Sequence, residues 1–346
     1  MSRLGAALGR NLGLVLAVLL FVIFYGVYNA LHPKGFSGAV LIQNSNESFA
    51  LIMAAMAQTV PVLAGGLDLS VGAVMTLVNC VASHVLSGPP LTLLGAAIFC
   101  LAVGALAGFV NGCVVVYGRL QPIIATLATG AVYVGMALYL RPTPGGEIDK
   151  DLAWTLTNDL YELASTYGWF DGGDAPWFQP IAWLPVPLLL MVLVVVLVWL
   201  PFRATVTGRN VYAVGSNEQA AYMSGLAIDR ARLAAFTLAG FFAGVGGLYL
   251  AIQTSSGNAD VPQAGGYTLN SIAAVVIGGT VLTGGSGGAV GSLVGALVIR
   301  AISFNFRIFD VPPLLQPLFE GLVLLAAVSL GASRVFRVRN RLQLLG

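Results

Sequence analysis

The chain has 346 residues, of which 58% are hydrophobic and only 9% charged, with a formal net charge of +2. An average soluble domain carries about 25% charged residues, so the charges here are too few to build a water-facing surface. A cytosolic enzyme, a secreted disulfide domain and a disordered scaffold are excluded together, and so small a net charge gives nucleic acid no electrostatic footing.

A bilayer crossing takes about 20 predominantly apolar residues, and ten stretches approach that length, with nine to eleven as the range the pattern allows. The first, 11–30, follows Arg3 and Arg10 with no small-residue cleavage site behind it, so it is read as a retained span and not a signal peptide. The second, 47–65, contains Gln58 and runs into Gly65-Gly66-Leu67-Asp68-Leu69-Ser70-Val71-Gly72. Asp68 is expected to be the N-cap of the third span, 69–87, at its positive dipole end. That span contains Asn79. The fourth, 91–116, carries Asn111 and glycines at every fourth position, Gly104, Gly108 and Gly112. Such a smooth stripe allows close helix–helix approach. The fifth, 121–140, contains Thr126 and Thr129.

Residues 142–181 form a long outer segment in which Glu147, Asp149, Asp151, Asp159 and Glu162 alternate with Trp154, Tyr161, Trp169, Phe170 and Trp177. Two readings fit it equally: an amphipathic helix lying in the interfacial aromatic belt, or a docking surface or lid. After the sixth span, 182–201, comes the inner loop 203–230. Its Ser216-Asn217-Glu218-Gln219 fits a capping box with Ser216 as N-cap, and Gly225 fits a left-handed C-terminal cap. The helix between them, about two turns long, is too short to persist alone in water. It must pack on its own spans or in a groove of another protein.

The seventh span, 231–254, has Gly240 and Gly244 at stripe spacing and ends with Gln253 and Thr254. The eighth and ninth, 268–283 and 288–304, are separated by Gly284-Gly285-Ser286-Gly287-Gly288, with Asn270 in the eighth and Gly287, Gly291 and Gly295 at stripe spacing. The tenth is 315–331. The expected fold is therefore an all-α, polytopic transmembrane helical bundle in one domain, 1–346.

Orientation follows from Lys/Arg bias. Placing both termini in the cytoplasm puts Arg3, Arg10, Arg119, Arg203, Arg209, Arg230, Arg232, Arg334, Arg337, Arg339 and Arg341 inside, the majority of the 16 basic residues.

Within the spans the polar groups are neutral. Gln58, Asn79, Asn111, Gln253 and Asn270 are the candidate solute-path residues, suited to a neutral polyhydroxylated solute, although interhelical hydrogen bonding explains any one of them alone. No ionisable relay for a proton-driven pump is present. His32 and His84 stand apart, and Cys80, Cys100 and Cys113 lie in apolar stretches without ligand spacing. Neither metal nor cofactor is expected. Lys34 and Lys150, the only lysines, lie in no Gly-Lys-Ser/Thr triplet, so the chain has no phosphate-cradling loop for ATP. No nucleophile–base constellation suggests an enzyme.

Four segments in order resemble the permease subunits of bacterial ABC importers for monosaccharides, of the ribose, xylose and galactose type. Gly65-Gly66-Leu67-Asp68-Leu69-Ser70-Val71-Gly72 is similar to that family's Gly-Gly-Ile-Asp-Leu-Ser-Val-Gly signature. Residues 108–130 resemble its Asn-Gly … Pro-Phe-Ile-Thr-Leu region. Tyr212 to Gly225 resembles its cytoplasmic coupling loop, and Ile272 to Thr280 completes the pattern. The resemblance spans roughly 47–330. Gly65, Gly66, Asp68 and Ser70 would be its structural signature. Asn217, Glu218, Ala221, Ser224 and Gly225 would face a partner ATPase. The implied assembly is two permeases, identical or related, with an ABC ATPase and a soluble periplasmic solute-binding protein, in the bacterial inner membrane and in contact with its lipid. Two departures lie where solute or binding protein would be met: Thr268-Leu269-Asn270 replaces a frequent acidic pair, and 142–181 is longer than usual. Alternatives are a nucleoside or branched-chain amino acid permease of the same type, or a self-sufficient channel or secondary carrier.

Overall fold

Polar side chains, not apolar ones, set the outer limit of the central helix. The apolar window opens at residue 47, yet helix α2 runs Gly38–Leu63. Its extra turns hold because Gln43, Asn44 and Asn46 each have a hydrogen-bond partner. Asn46 Nδ2 donates to Thr157 O (2.7 Å), its Oδ1 accepts from the Tyr249 hydroxyl (2.5 Å), and Glu47 forms a two-pronged ion pair with Arg307. From Asn44 to Leu63 almost every residue of α2 is buried.

The computed structural model describes residues 12–312 together with 315, 316, 318, 319, 321, 322 and 325. Most of the expected tenth span, and residues 1–11, lie outside the described residues. Around α2 stand α1 (Leu12–Leu31), α3 (Val71–Val85), α4 (Pro90–Val116), α5 (Pro122–Leu140), α9 (Val186–Ala204), α12 (Ile228–Thr254), α13 (Val261–Ile277) and α14 (Ala289–Ile308). Six of them, α1, α4, α5, α9, α12 and α14, are long and apolar enough to cross a membrane. Helix α3 has 15 residues and α13 has 17. Both pack against α2. Among the described residues the architecture is all-α, with only isolated β-bridges at Gly145–Gly257 and Asp159–Pro185.

The glycine stripes become backbone contacts. A β-carbon at Gly104 would lie 2.6 Å from Gly240 O, and one at Gly108 would lie 2.8 Å from Gly240 Cα, so α4 and α12 touch main chain to main chain. Helices α13 and α14 meet in the same way, Gly278 against Gly291 and Gly295 against Ala274. Gly287 is not part of that stripe. It precedes α14 in the loop 278–288 at φ +123°, where its hydrogen-only side chain fits against Thr280. The eighth and ninth expected spans are thus a helical hairpin rather than one broken element, the first beginning at Val261 and ending at Ile277 and the second running on to Ile308, away from the connecting loop. The sixth span is one helix carrying a π turn at Val195–Trp199.

The segment 142–181 folds into short helices, α6 (Lys150–Thr157), α7 (Leu160–Tyr167) and α8 (Gln179–Ala182). Asp149 caps α6 by accepting from Leu152 N (2.8 Å), and Asp159 caps α7 by accepting from Glu162 N (2.9 Å). A small core of Ala164, Ala175, Phe178 and Ala182 holds it together, leaving Trp169, Trp177 and Trp183 more than half exposed.

Candidate functional site

At the opposite end of the bundle from 142–181, three loops interlock. The α2 C-terminal carbonyl of Leu63 accepts from Gly285 N (3.0 Å), tying α2 to the 278–288 loop. Helix α10 (Val206–Ser216) grips that loop from the other side, the Tyr212 hydroxyl donating to Gly287 O (3.1 Å) and Ser216 Oγ lying 3.5 Å from Gly285 O. Burial raises the Tyr212 phenol above its ordinary range, with Arg203 opposing, so Tyr212 remains a neutral donor. Gly65 and Gly215 back onto each other at van der Waals distance.

On this platform sits α11 (Glu218–Met223), six residues long. Its N-cap is Asn217, whose Oδ1 accepts from Ala220 N (2.9 Å). The expected Ser216 cap is corrected: Ser216 is the last residue of α10, and its hydroxyl donates back to Tyr212 O (2.8 Å). Asparagine caps as well as serine does, so the competition is decided by where α10 ends. At the other end Leu226 N donates to Ala221 O (3.1 Å) and Gly225 N to Tyr222 O (2.9 Å), with Gly225 at φ +73°. This is the paired-bond glycine terminus that the sequence anticipates. Ala221 is buried against the platform; Glu218 reaches Arg232 at the start of α12 in an ion pair of 2.6 Å. Ser224 is exposed and donates to Ala220 O (2.9 Å). The outward face is made by Tyr222 and Met223, 71% and 81% exposed. Neither is singled out by the sequence, because only the packing of Ala221 reveals which way the helix is turned.

Beside α11 opens a cavity of about 590 Å³, bounded by Gly65 and Gly66, Arg119 of the α4–α5 connection, Pro122 at the start of α5, and Asp229 and Arg232 of α12. Behind it lies a fully buried polar hub. Gln58 Nε2 donates to Asp68 O (2.8 Å) and its Oε1 accepts from Asp68 N (3.2 Å). The Asp68 carboxylate accepts from Ser70 N (2.8 Å) and Ser70 Oγ (2.6 Å). Asn111 Nδ2 donates to Ser70 Oγ (2.7 Å), and the Tyr133 hydroxyl lies between Ala107 O (2.8 Å) and Asn111 Oδ1 (3.1 Å). Thr126 Oγ1 accepts from Leu69 N (2.9 Å). Asp68 therefore is not the N-cap of α3. Ser70 holds that position without a side-chain bond, and Asp68 orders the turn in front of it. A carboxylate so deep persists only with such a set of donors.

The five candidate path residues do not converge. Gln58 and Asn111 join the hub. Asn79, just past the middle of α3, accepts from Asn258 N (2.7 Å) and donates to Ser256 O (3.5 Å), clamping the α12–α13 loop. Gln253 and Asn270 are half-buried, on α12 and α13. His84 lies 3.2 Å from Leu140 O, and the described residues contain no cluster of His, Cys, Asp or Glu able to hold a metal.

Residues 40–328 match the family model described as branched-chain amino acid transport system / permease component. The chain is similar to the ribose import permease protein RbsC of Bacillus subtilis, 34% identical over 93% of this chain and 92% of the relative. It is 31% identical to RbsC of Escherichia coli K12, over 90% and 91%, and 34% identical to the autoinducer 2 import system permease protein LsrC of Enterobacter sp. 638, over 93% and 86%. No solved structure matches. The chain belongs to this family of transport-system permeases, and it is a membrane protein.

Proposed function

We propose that this permease is half of the membrane path of an ATP-driven importer for a neutral sugar or sugar-like solute. It works with a second permease, identical or related, an ABC ATPase on the cytoplasmic side and a periplasmic binding protein. The observation that carries the reading is α11: a six-residue helix capped at both ends, rooted in α10 and α12, and presenting Tyr222 and Met223 outward. So short a helix has no stability of its own, and its two large exposed apolar side chains suit a groove in another protein.

The bonding pattern gives it leverage. A push on α11 reaches α12 through Glu218 and Arg232, and reaches α2 and the α13–α14 hairpin through α10 and the 278–288 loop. Helices in backbone contact, α4 with α12 and α13 with α14, then move as blocks, which suits rigid-body alternation between outward and inward openings. Topologically we place the ten expected spans as α1 to α5, α9, α12 to α14 and 315–331, with both termini and α11 in the cytoplasm and 142–181 outside.

A sugar is favoured over an amino acid on two grounds. The relatives named for ribose and autoinducer 2 align with most of the chain. An amino acid would also want an open carboxylate and ammonium clamp, whereas Glu47 and Arg307 are closed on each other. In proteoliposomes holding the permease, its ATPase and its binding protein, ribose uptake is expected only with ATP and binding protein together. Uptake by the permease alone would overturn the reading in favour of a self-sufficient carrier.

A further inference from the structure

A cleft of about 650 Å³ runs along the outside of the bundle between α4, α9 and α12, away from both the hub and α11. Its walls are apolar, among them Phe109 of α4, Val198 in the π turn of α9, and Leu233 and Phe241 of α12. Its mouth is polar: Thr205 directly after α9 and Arg230 in the first turn of α12. The surfaces on either side, Leu106 on α4 and Val196 and Leu197 on α9, are exposed and apolar, as a bilayer-facing surface must be.

Two features of this cleft select its occupant. From Arg230 to Phe241 is roughly 16 Å of helix rise, about half the 30 Å hydrocarbon core and so the depth of one leaflet. The charge at its rim is one-sided. Arg230 lines the cleft and Arg203 directly follows its lining residue Phe202; both are exposed, neither is in an ion pair among the described residues, and no acidic side chain lines the cleft. We infer that the cleft is a binding site for one anionic phospholipid, an acyl chain lying along Phe109, Val198 and Phe241 and the phosphate headgroup held at Arg230. An apolar partner surface alone would leave Arg230 at the rim without a counter-charge. The headgroup supplies that charge.

The test is native mass spectrometry of the purified full-length permease in detergent, titrated with phosphatidylglycerol or phosphatidylcholine of identical acyl chains. Preferential retention of phosphatidylglycerol is expected. Arg230→Gln, an exposed position that leaves folding intact, should cut that retention about five-fold, the worth of one basic residue at an anionic membrane surface, and leave phosphatidylcholine unaffected. Ala234→Leu, filling the cleft, should lower retention of both lipids. Equal retention of the two lipids by the unaltered protein, or full phosphatidylglycerol retention by both Arg230→Gln and Arg203→Gln, overturns the site. So does disulfide cross-linking of Phe109→Cys to a second permease, which would make the cleft a subunit interface.

Discussion

Asn111 lies in the last two turns of an apolar helix, and both ends of its amide are engaged, by Ser70 and by Tyr133. That makes it a fastener between α4, α5 and the Asp68 turn. Replacing it with leucine keeps the volume but takes away the donor to Ser70 Oγ and the acceptor from the Tyr133 hydroxyl. The expected loss is about 1–2 kcal/mol, above the average of roughly 0.6 for a single hydrogen bond within a membrane, because two buried hydroxyls lose a partner at once. The checking measurement is the thermal midpoint of Asn111→Leu in detergent, together with uptake per folded molecule. A normal midpoint with a raised solute KM would instead make Asn111 a solute contact.

Element by element, close approach and exposure make opposite demands on similar residues. Gly108 and Gly135 are both helical glycines, but a β-carbon at Gly108 runs into the backbone of α12, whereas one at Gly135 meets nothing within 4 Å. Gly108→Leu should therefore separate α4 from α12, at a cost of about 1–3 kcal/mol or more. Gly135→Ala should be neutral, or more stable by up to about 1 kcal/mol from helix propensity. Fluorescence-detected size exclusion after graded heating separates the two cases, and equal behaviour would mean the helices are not in backbone contact. For α11 the converse holds. Tyr222→Ala with Met223→Ala removes exposed side chains, so the permease should fold normally yet bind its ATPase at least ten-fold more weakly in a pull-down. Gly225→Val should weaken the same contact by unwinding the helix end, since φ +73° costs a β-branched residue about 1–2 kcal/mol.

For the molecule as a whole, the open choice is which end faces the cytoplasm, and the charge bias is what motivates our proposal that the α11 end does. The α11 end carries Arg119, Arg203, Arg209, Arg230 and Arg232, while the opposite end carries the acidic and aromatic segment 142–181. In a cysteine-free background, Ser224→Cys should react with a membrane-impermeant maleimide only after the cells are opened. Ser165→Cys, on exposed α7, should react in intact spheroplasts. The reverse pattern would invert the molecule and with it the coupling role of α11.

Length, hydropathy and the scarcity of charge were enough to establish a membrane-embedded all-helical chain, because the cost of an unsatisfied backbone in lipid leaves few alternatives. The glycine stripes and the Gly225 cap were legible for the same local reason: each states what a backbone must do, whatever surrounds it. Hydropathy could not find where α2 begins, since Asn46 and Glu47 are tolerable only in the presence of Tyr249, Thr157 and Arg307, residues far away in the chain. Nor could it tell Asn111, locked in the hub, from Asn79, clamping a loop. Tertiary structure alone made those distinctions, because a polar side chain inside a membrane takes its role from the partner it meets, and that partner comes from another helix.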